Sequence, residues 1–200
     1  IAVPPHPTPV QNAPLIPLRA GPLRLVFDPA SGFLRRIRLG TREVLRGIYA
    51  AVRDRNWGTV PTRIANLTTR IGPDDFQLDF EADCRAEGIH FVWHGTVQGF
   101  ADGGLRYDFA GEARSDFLRN RIGFCVLHPP RECAGAPARQ LRTDGSIVHG
   151  RFPDAIEPQI VGQASFRDLR ALAHEVLPGI WAELQFEGDV FEMEDQRNWT

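Results

Sequence analysis

DFQLDFEADC, residues 75–84, decides the fold class. In an extended chain Phe76, Leu78, Phe80 and Ala82 fall on one side, while Gln77, Asp79 and Glu81 fall on the other. Period-two alternation of this kind marks a strand with one face in a core and one toward water. A helix would spread the same apolar residues around its circumference. Two following stretches repeat the pattern. In IHFVWHGTVQGF (89–100), Phe91, Trp93, Gly95 and Val97 oppose His90, Val92, His94, Thr96 and Gln98. In GLRYDFAGEA (104–113), Leu105, Tyr107 and Phe109 oppose Arg106 and Asp108.

Turn clusters separate these runs: DPASG (28–32), GPDD (72–75), AEG (86–88) and ADGG (101–104). The spacing predicts consecutive antiparallel strands near 23–28, 33–39, 43–53, 60–70, 75–84, 89–100, 104–113 and 119–127. Later strands are expected at 146–150, 181–187 and 189–194, and one short helix at 165–175, SFRDLRALAHE. Without a βαβ rhythm, the chain reads as all-β, a large antiparallel two-sheet sandwich. The proline-rich lead, residues 1–20, reads as an extended arm, and residues 21–200 as a single β-sandwich domain.

Composition bounds the function. At 200 residues a domain buries roughly 70% of its unfolded surface, so neither disulfide nor metal is needed as a staple. No apolar run approaches the roughly 20 residues of a membrane span, so no membrane partner is expected. No signal peptide is visible, and a start at Ile1 is compatible with removal of a targeting segment. All 23 basic residues are arginine, scattered among 25 acids for a net charge of −2. That balance argues against nucleic acid, which favours a basic stripe. Cys84, Cys125 and Cys133 show no CxxC spacing; a reduced, bacterial cytoplasmic setting is the simplest reading.

Several residues bear chemistry. His90 and His94 stand about 13 Å apart on a strand, too far to share a metal, and no metal or other cofactor is expected. His128, at a strand end before Pro129-Pro130, is either a ligand-facing residue or a buried structural histidine. In DGSIVHGRFP (144–153), His149 and Arg151 line a sugar or carboxylate site or belong to a solvated hairpin. In VFEMED (190–195), Phe191 and Met193 share one face, Glu192 and Glu194 the other. Carboxylates about 6.5 Å apart on a strand suit acid–base work. Alternatively, Glu194 or Asp195 pairs with Arg197 in a buried joint. Trp57, Trp93, Trp181 and Trp199 are expected mostly buried, since they lie in apolar runs.

LRGIYAAVRDRNWGTVP (45–61), NRIGFCVLHP (120–129), DGSIVHGRFP (144–153) and GDVFEMEDQRNWT (188–200) together resemble the N-terminal region of the D-apionate lactonase family. The resemblance implies a galactose-mutarotase-like supersandwich that precedes a downstream domain of the same polypeptide. It also implies hydrolysis of a sugar-acid lactone, an acyl transfer to water that needs an activating base and oxyanion donors. On that reading Glu192, Glu194 and Asp195 are the catalytic candidates, with Arg197, His128, His149 and Arg151 on the substrate side. The domain alone is then inactive and contributes structure or part of a cleft. No GxSxG elbow or HExxH motif occurs in the sequence. A self-contained mutarotase-like epimerase and a carbohydrate-binding module are the competing readings.

Overall fold

The computed structural model describes residues 13–156 and 166–194. Fourteen strands and one four-residue helix account for the regular structure of these residues. Contacts divide the chain into two compact units, residues 1–127 and 128–200.

The first unit is a sandwich of two antiparallel sheets. One has the order β1 (Ile16–Ala20), β2 (Leu23–Asp28), β3 (Phe33–Leu39), β4 (Arg42–Asp54) and β9 (Arg119–Leu127). The other is a meander of β5 (Thr62–Ile71), β6 (Phe76–Ala86), β7 (Ile89–Gly99) and β8 (Leu105–Ala113). The alternation is realised residue by residue: Phe76, Leu78, Phe80, Ala82 and Cys84 are all buried, as are Phe91, Trp93 and Val97. Between the sheets Phe27 meets Phe80 at 5.5 Å and Phe124 meets Tyr107 at 4.8 Å. Tilted and edge-on aromatic pairs contribute about 0.5–1.5 kcal/mol each beyond their buried area. The Tyr107 hydroxyl donates to the Gly32 carbonyl at 2.7 Å, stitching the two layers together, and burial holds its pKa above the usual tyrosine range.

The second unit is one sheet ordered β11 (Ile147–Arg151), β10 (Pro137–Arg142), β12 (Phe166–Leu177) and β13 (Ile180–Gln185), with β14 (Phe191–Met193) also paired to β12. A single helical turn, α1 (Pro130–Cys133), leads into it. The Asp144-Gly145 turn joins β10 to β11; hydrogen bonds from the Ser146 hydroxyl and N–H hold the Asp144 carboxyl below the usual range.

The expected helix at 165–175 is instead the central strand β12. Leu169, Ala171, Leu172, Ala173 and His174 are all buried, and neighbours flank the strand on both edges. Leu169, Leu172 and His174 face the aromatic core, while the short Ala171 and Ala173 lie low beside Arg139 and Glu183 on the other face. A run without polar alternation has no strand signature and mimics a helix. β12 also carries a bulge near Asp168, whose φ is +56°. Besides β12, two strands lie outside the predicted set. Ile16–Ala20, placed in the lead by sequence, pairs with β2, and Pro137–Arg142 pairs with both β11 and β12.

Candidate functional site

In the second unit the strand pairing sorts the candidate side chains by face. Ala138 of β10 lies opposite His174 of β12 and Gly150 of β11, so one face carries Ala138, Gln140, Leu172 and His174. This face is buried against Phe152 and Phe166. His128 enters the same pocket, its ring centre 5.3 Å from those of Phe152 and His174. Both His128 ring nitrogens are shielded from solvent and make no hydrogen bond among the described residues. Burial, with His174 adding to it, pushes the His128 pKa down to about 3. At neutral pH His128 is therefore an uncharged imidazole in an aromatic box.

His149 lies opposite Arg139, which lies opposite Ala173, itself opposite Glu183. His149 and Arg151 thus occupy the other face of the sheet, which separates them from His174 and its neighbour His128. That face is exposed: Arg139 bonds Glu183 at 3.3 Å and stands 6.0 Å over the Trp181 ring. In β14, Phe191 and Met193 pack against the core around Leu169 and Phe166, while Glu192 and Glu194 point away and are exposed. Asp195 and Arg197 lie outside the described residues. The sheet therefore brings His149 and Arg151 together with Arg139, Glu183 and Trp181, and sets them apart from the His128 pocket.

The tryptophans overturn an expectation. Trp93 is buried, but Trp57 is 55% and Trp181 44% exposed, while Trp199 lies outside the described residues. Both exposed indoles carry an arginine, Arg121 at 5.6 Å from the Trp57 ring and Arg139 at 6.0 Å from that of Trp181. An exposed indole can be held by a guanidinium on its face without a core around it. An apolar flank in sequence does not report which side of the strand is covered.

Sequence reasoning also missed the outer face of β3, β4 and β9 in the first unit. There Phe33 stacks on Tyr49 at 4.2 Å, and the Arg35 guanidinium lies 4.2 Å over Phe33. Cys125 and Arg53 both lie against the Tyr49 hydroxyl, whose pKa burial raises. The loop after β4 returns Trp57 to this face. The Asp54 carboxylate accepts the N–H groups of Asn56 at 2.7 Å and Gly58 at 2.9 Å. This Asx-type turn fixes Trp57 at φ +69°, a conformation costly for an aromatic residue. The D-x-x-x-G spacing of 54–58 was the available signal.

A family model described as "D-apionate lactonase, N-terminal domain" matches residues 5–200. The chain belongs to that family. A relative from Brucella anthropi, a curated D-apionate lactonase, is 39% identical over 184 residues. The match covers 92% of this chain and 29% of the relative, so the chain spans less than a third of the protein it resembles. No solved structure matches. Among D-apionate lactonase N-terminal domains, this one is all-β in its described residues apart from the turn at α1. No helix of those residues is long and apolar enough to cross a membrane, and no three of their His, Cys, Asp or Glu side chains gather into a metal-binding group.

Proposed function

We propose that this chain is the N-terminal β domain of an enzyme that opens a sugar-acid lactone, and that it supports and shapes the substrate cleft. The observation that carries this reading is the match to the D-apionate lactonase of Brucella anthropi over 29% of that protein's length. Opening a lactone requires water to attack the ring carbonyl, donors to hold the tetrahedral oxyanion, and an acid to protonate the departing ring oxygen. In the described residues His128 is sealed in its aromatic box, and the sheet separates it from His149. This separation favours a supporting role over a self-contained epimerase that uses both histidines.

In this reading Phe191 and Met193 anchor the last strand, and Glu192, Glu194, Asp195 and Arg197 form a charged joint to a downstream domain of the same polypeptide. The anchoring of both apolar residues against Leu169 and Phe166 supports the joint. Its carboxylates are also the domain's candidates for acid–base work beside a bound lactone. His149 and Arg151, exposed next to Arg139, are its substrate-facing candidates.

The test compares lactone hydrolysis by this chain with hydrolysis by a fusion of the chain to the part of the Brucella anthropi relative beyond the matched segment. The fusion is expected to open the lactone and the 200-residue chain to leave it intact. Equal rates from the two proteins would falsify the supporting role.

A further inference from the structure

The net charge of −2 conceals an excess of arginine over acid on one outer face of the first unit's sandwich. Arg19, Arg24 and Arg38 lie in direct cross-strand register on β1, β2 and β3. Like charges placed opposite one another destabilise a sheet; here Arg19 is paired with Asp74 at 3.0 Å and Arg38 has Glu43 opposite it on β4. Further along the same face stand Arg35, Arg53 and Arg121, with Asp28 bonded to Arg35 at 3.2 Å. The outer side of the other sheet mixes Asp79, Glu81 and Asp83 with Arg63, Arg70, Arg85 and Arg106. Arginines dispersed in sequence are gathered on one face, which draws anions toward it.

On this cationic face, β4 and β9 hold a set of groups unlike an ordinary solvated surface. Phe33 is stacked on Tyr49 and covered by the Arg35 guanidinium, while Trp57 is 55% exposed. Arg53 is fixed by neutral oxygens: its Nη1 donates to the Thr59 hydroxyl at 2.7 Å and to the Trp57 carbonyl at 3.4 Å. Arg121 stands over the indole. The floor beside them is flat, because Ala51 pairs with Gly123. Gly123 has φ +144°, and a methyl group built there would meet nothing within 4 Å. The left-handed Trp57 is the strained element, and strain of this kind persists where the surrounding structure over-determines it.

We propose that the outer face of β4 and β9, between Tyr49 and Trp57, binds an open-chain polyhydroxy carboxylate, a sugar acid. The Arg53 and Arg121 guanidiniums take its carboxylate, since the planar donor fork matches that anion. The Trp57 indole takes a C–H face of the carbon chain, and the open space over Gly123 admits the hydroxyl-bearing carbons. The proposal rests on the carbohydrate reading above for the hydroxyls, and on the geometry for the carboxylate and the stacking surface.

The experiment titrates the 200-residue chain with sodium D-gluconate, following heat and the indole N–H resonance of Trp57. D-glucitol, which has the hydroxyls without the carboxylate, and sodium sulfate serve as comparisons. Gluconate is expected to bind and shift the Trp57 resonance, with glucitol at least about tenfold weaker, the equivalent of one charge-assisted contact. Arg121→Gln and Trp57→Ala are each expected to weaken gluconate binding about tenfold. Arg114→Gln, on the other sheet, leaves it unchanged. Absence of binding overturns the proposal, as does displacement of gluconate by sulfate at equal concentration, which reduces the face to general anion attraction. Hydrolysis plays no part in the readout. A fusion that fails to open a lactone leaves this result standing, and absent binding leaves the lactonase reading untouched.

Discussion

His128 and His174 meet edge to face with ring centres 5.3 Å apart, inside a pocket closed by Phe152 and Phe166. Neither His128 nitrogen reaches water. This burial makes the second unit sensitive to acid. The unfolded chain protonates His128 near 6.5, while the folded chain resists protonation until about 3. Between those values the unfolded state binds more protons, so stability is complete above about pH 6.5 and falls as the pH drops. The expected loss from His128 is about 2 kcal/mol by roughly pH 5. Thermal unfolding across this range should show the decline in the wild type and a flatter profile in His128→Leu. Parallel profiles for the two proteins would rule out His128 as the source.

Gly95 of β7 lies opposite Phe80 of β6, and a methyl group on it would sit 2.4 Å from the Phe80 ring. Phe80 cannot retreat, because Phe27, Trp93 and Tyr107 surround its ring. Gly95→Ala is therefore expected to lower stability by about 1–3 kcal/mol. In a denaturant titration the midpoint should fall with its slope preserved. An unchanged midpoint would mean that the sandwich core yields more easily than this packing allows.

The Tyr107 hydroxyl crosses between the two sheets of the first unit to the Gly32 carbonyl. Tyr107→Phe keeps the ring and removes the bond, for an expected cost of about 1 kcal/mol. The comparison of unfolding midpoints for the two proteins checks this. A neutral substitution would show that the ring alone holds the layers together.

Trp57 at φ +69° should be tolerated for its side chain rather than its contribution to folding. Trp57→Gly is expected to leave stability unchanged or raise it by up to about 1 kcal/mol, because glycine adopts this conformation without strain. The same variant should lose sugar-acid binding. A fall in stability of more than about 1 kcal/mol would instead place the indole among the residues that hold the loop.

Strands β2 to β9 were legible because each has one wet and one dry face, so alternation in the chain maps directly onto burial. β12 was not legible, since alanines at 171 and 173 stand where its solvent-side face would otherwise show polar residues. The candidate site was legible only where residues are neighbours along the chain. The opposed faces of Glu192 with Glu194 and Phe191 with Met193 follow from the pleat, and the burial of the two apolar residues agrees. The aromatic box was hidden because His128, Phe152 and His174 are far apart in sequence and meet through tertiary packing.

The sequence by itself determined the layered antiparallel architecture of this D-apionate lactonase N-terminal domain, because pleat, turn residues and hydrophobic period are local properties. Only the tertiary structure decided where the charge lies. Cross-strand register sets Arg19 beside Arg24 and Arg38, and it brings the Arg121 strand alongside that of Tyr49. Register joins residues far apart in the chain, and no local pattern encodes which arginines will share a face.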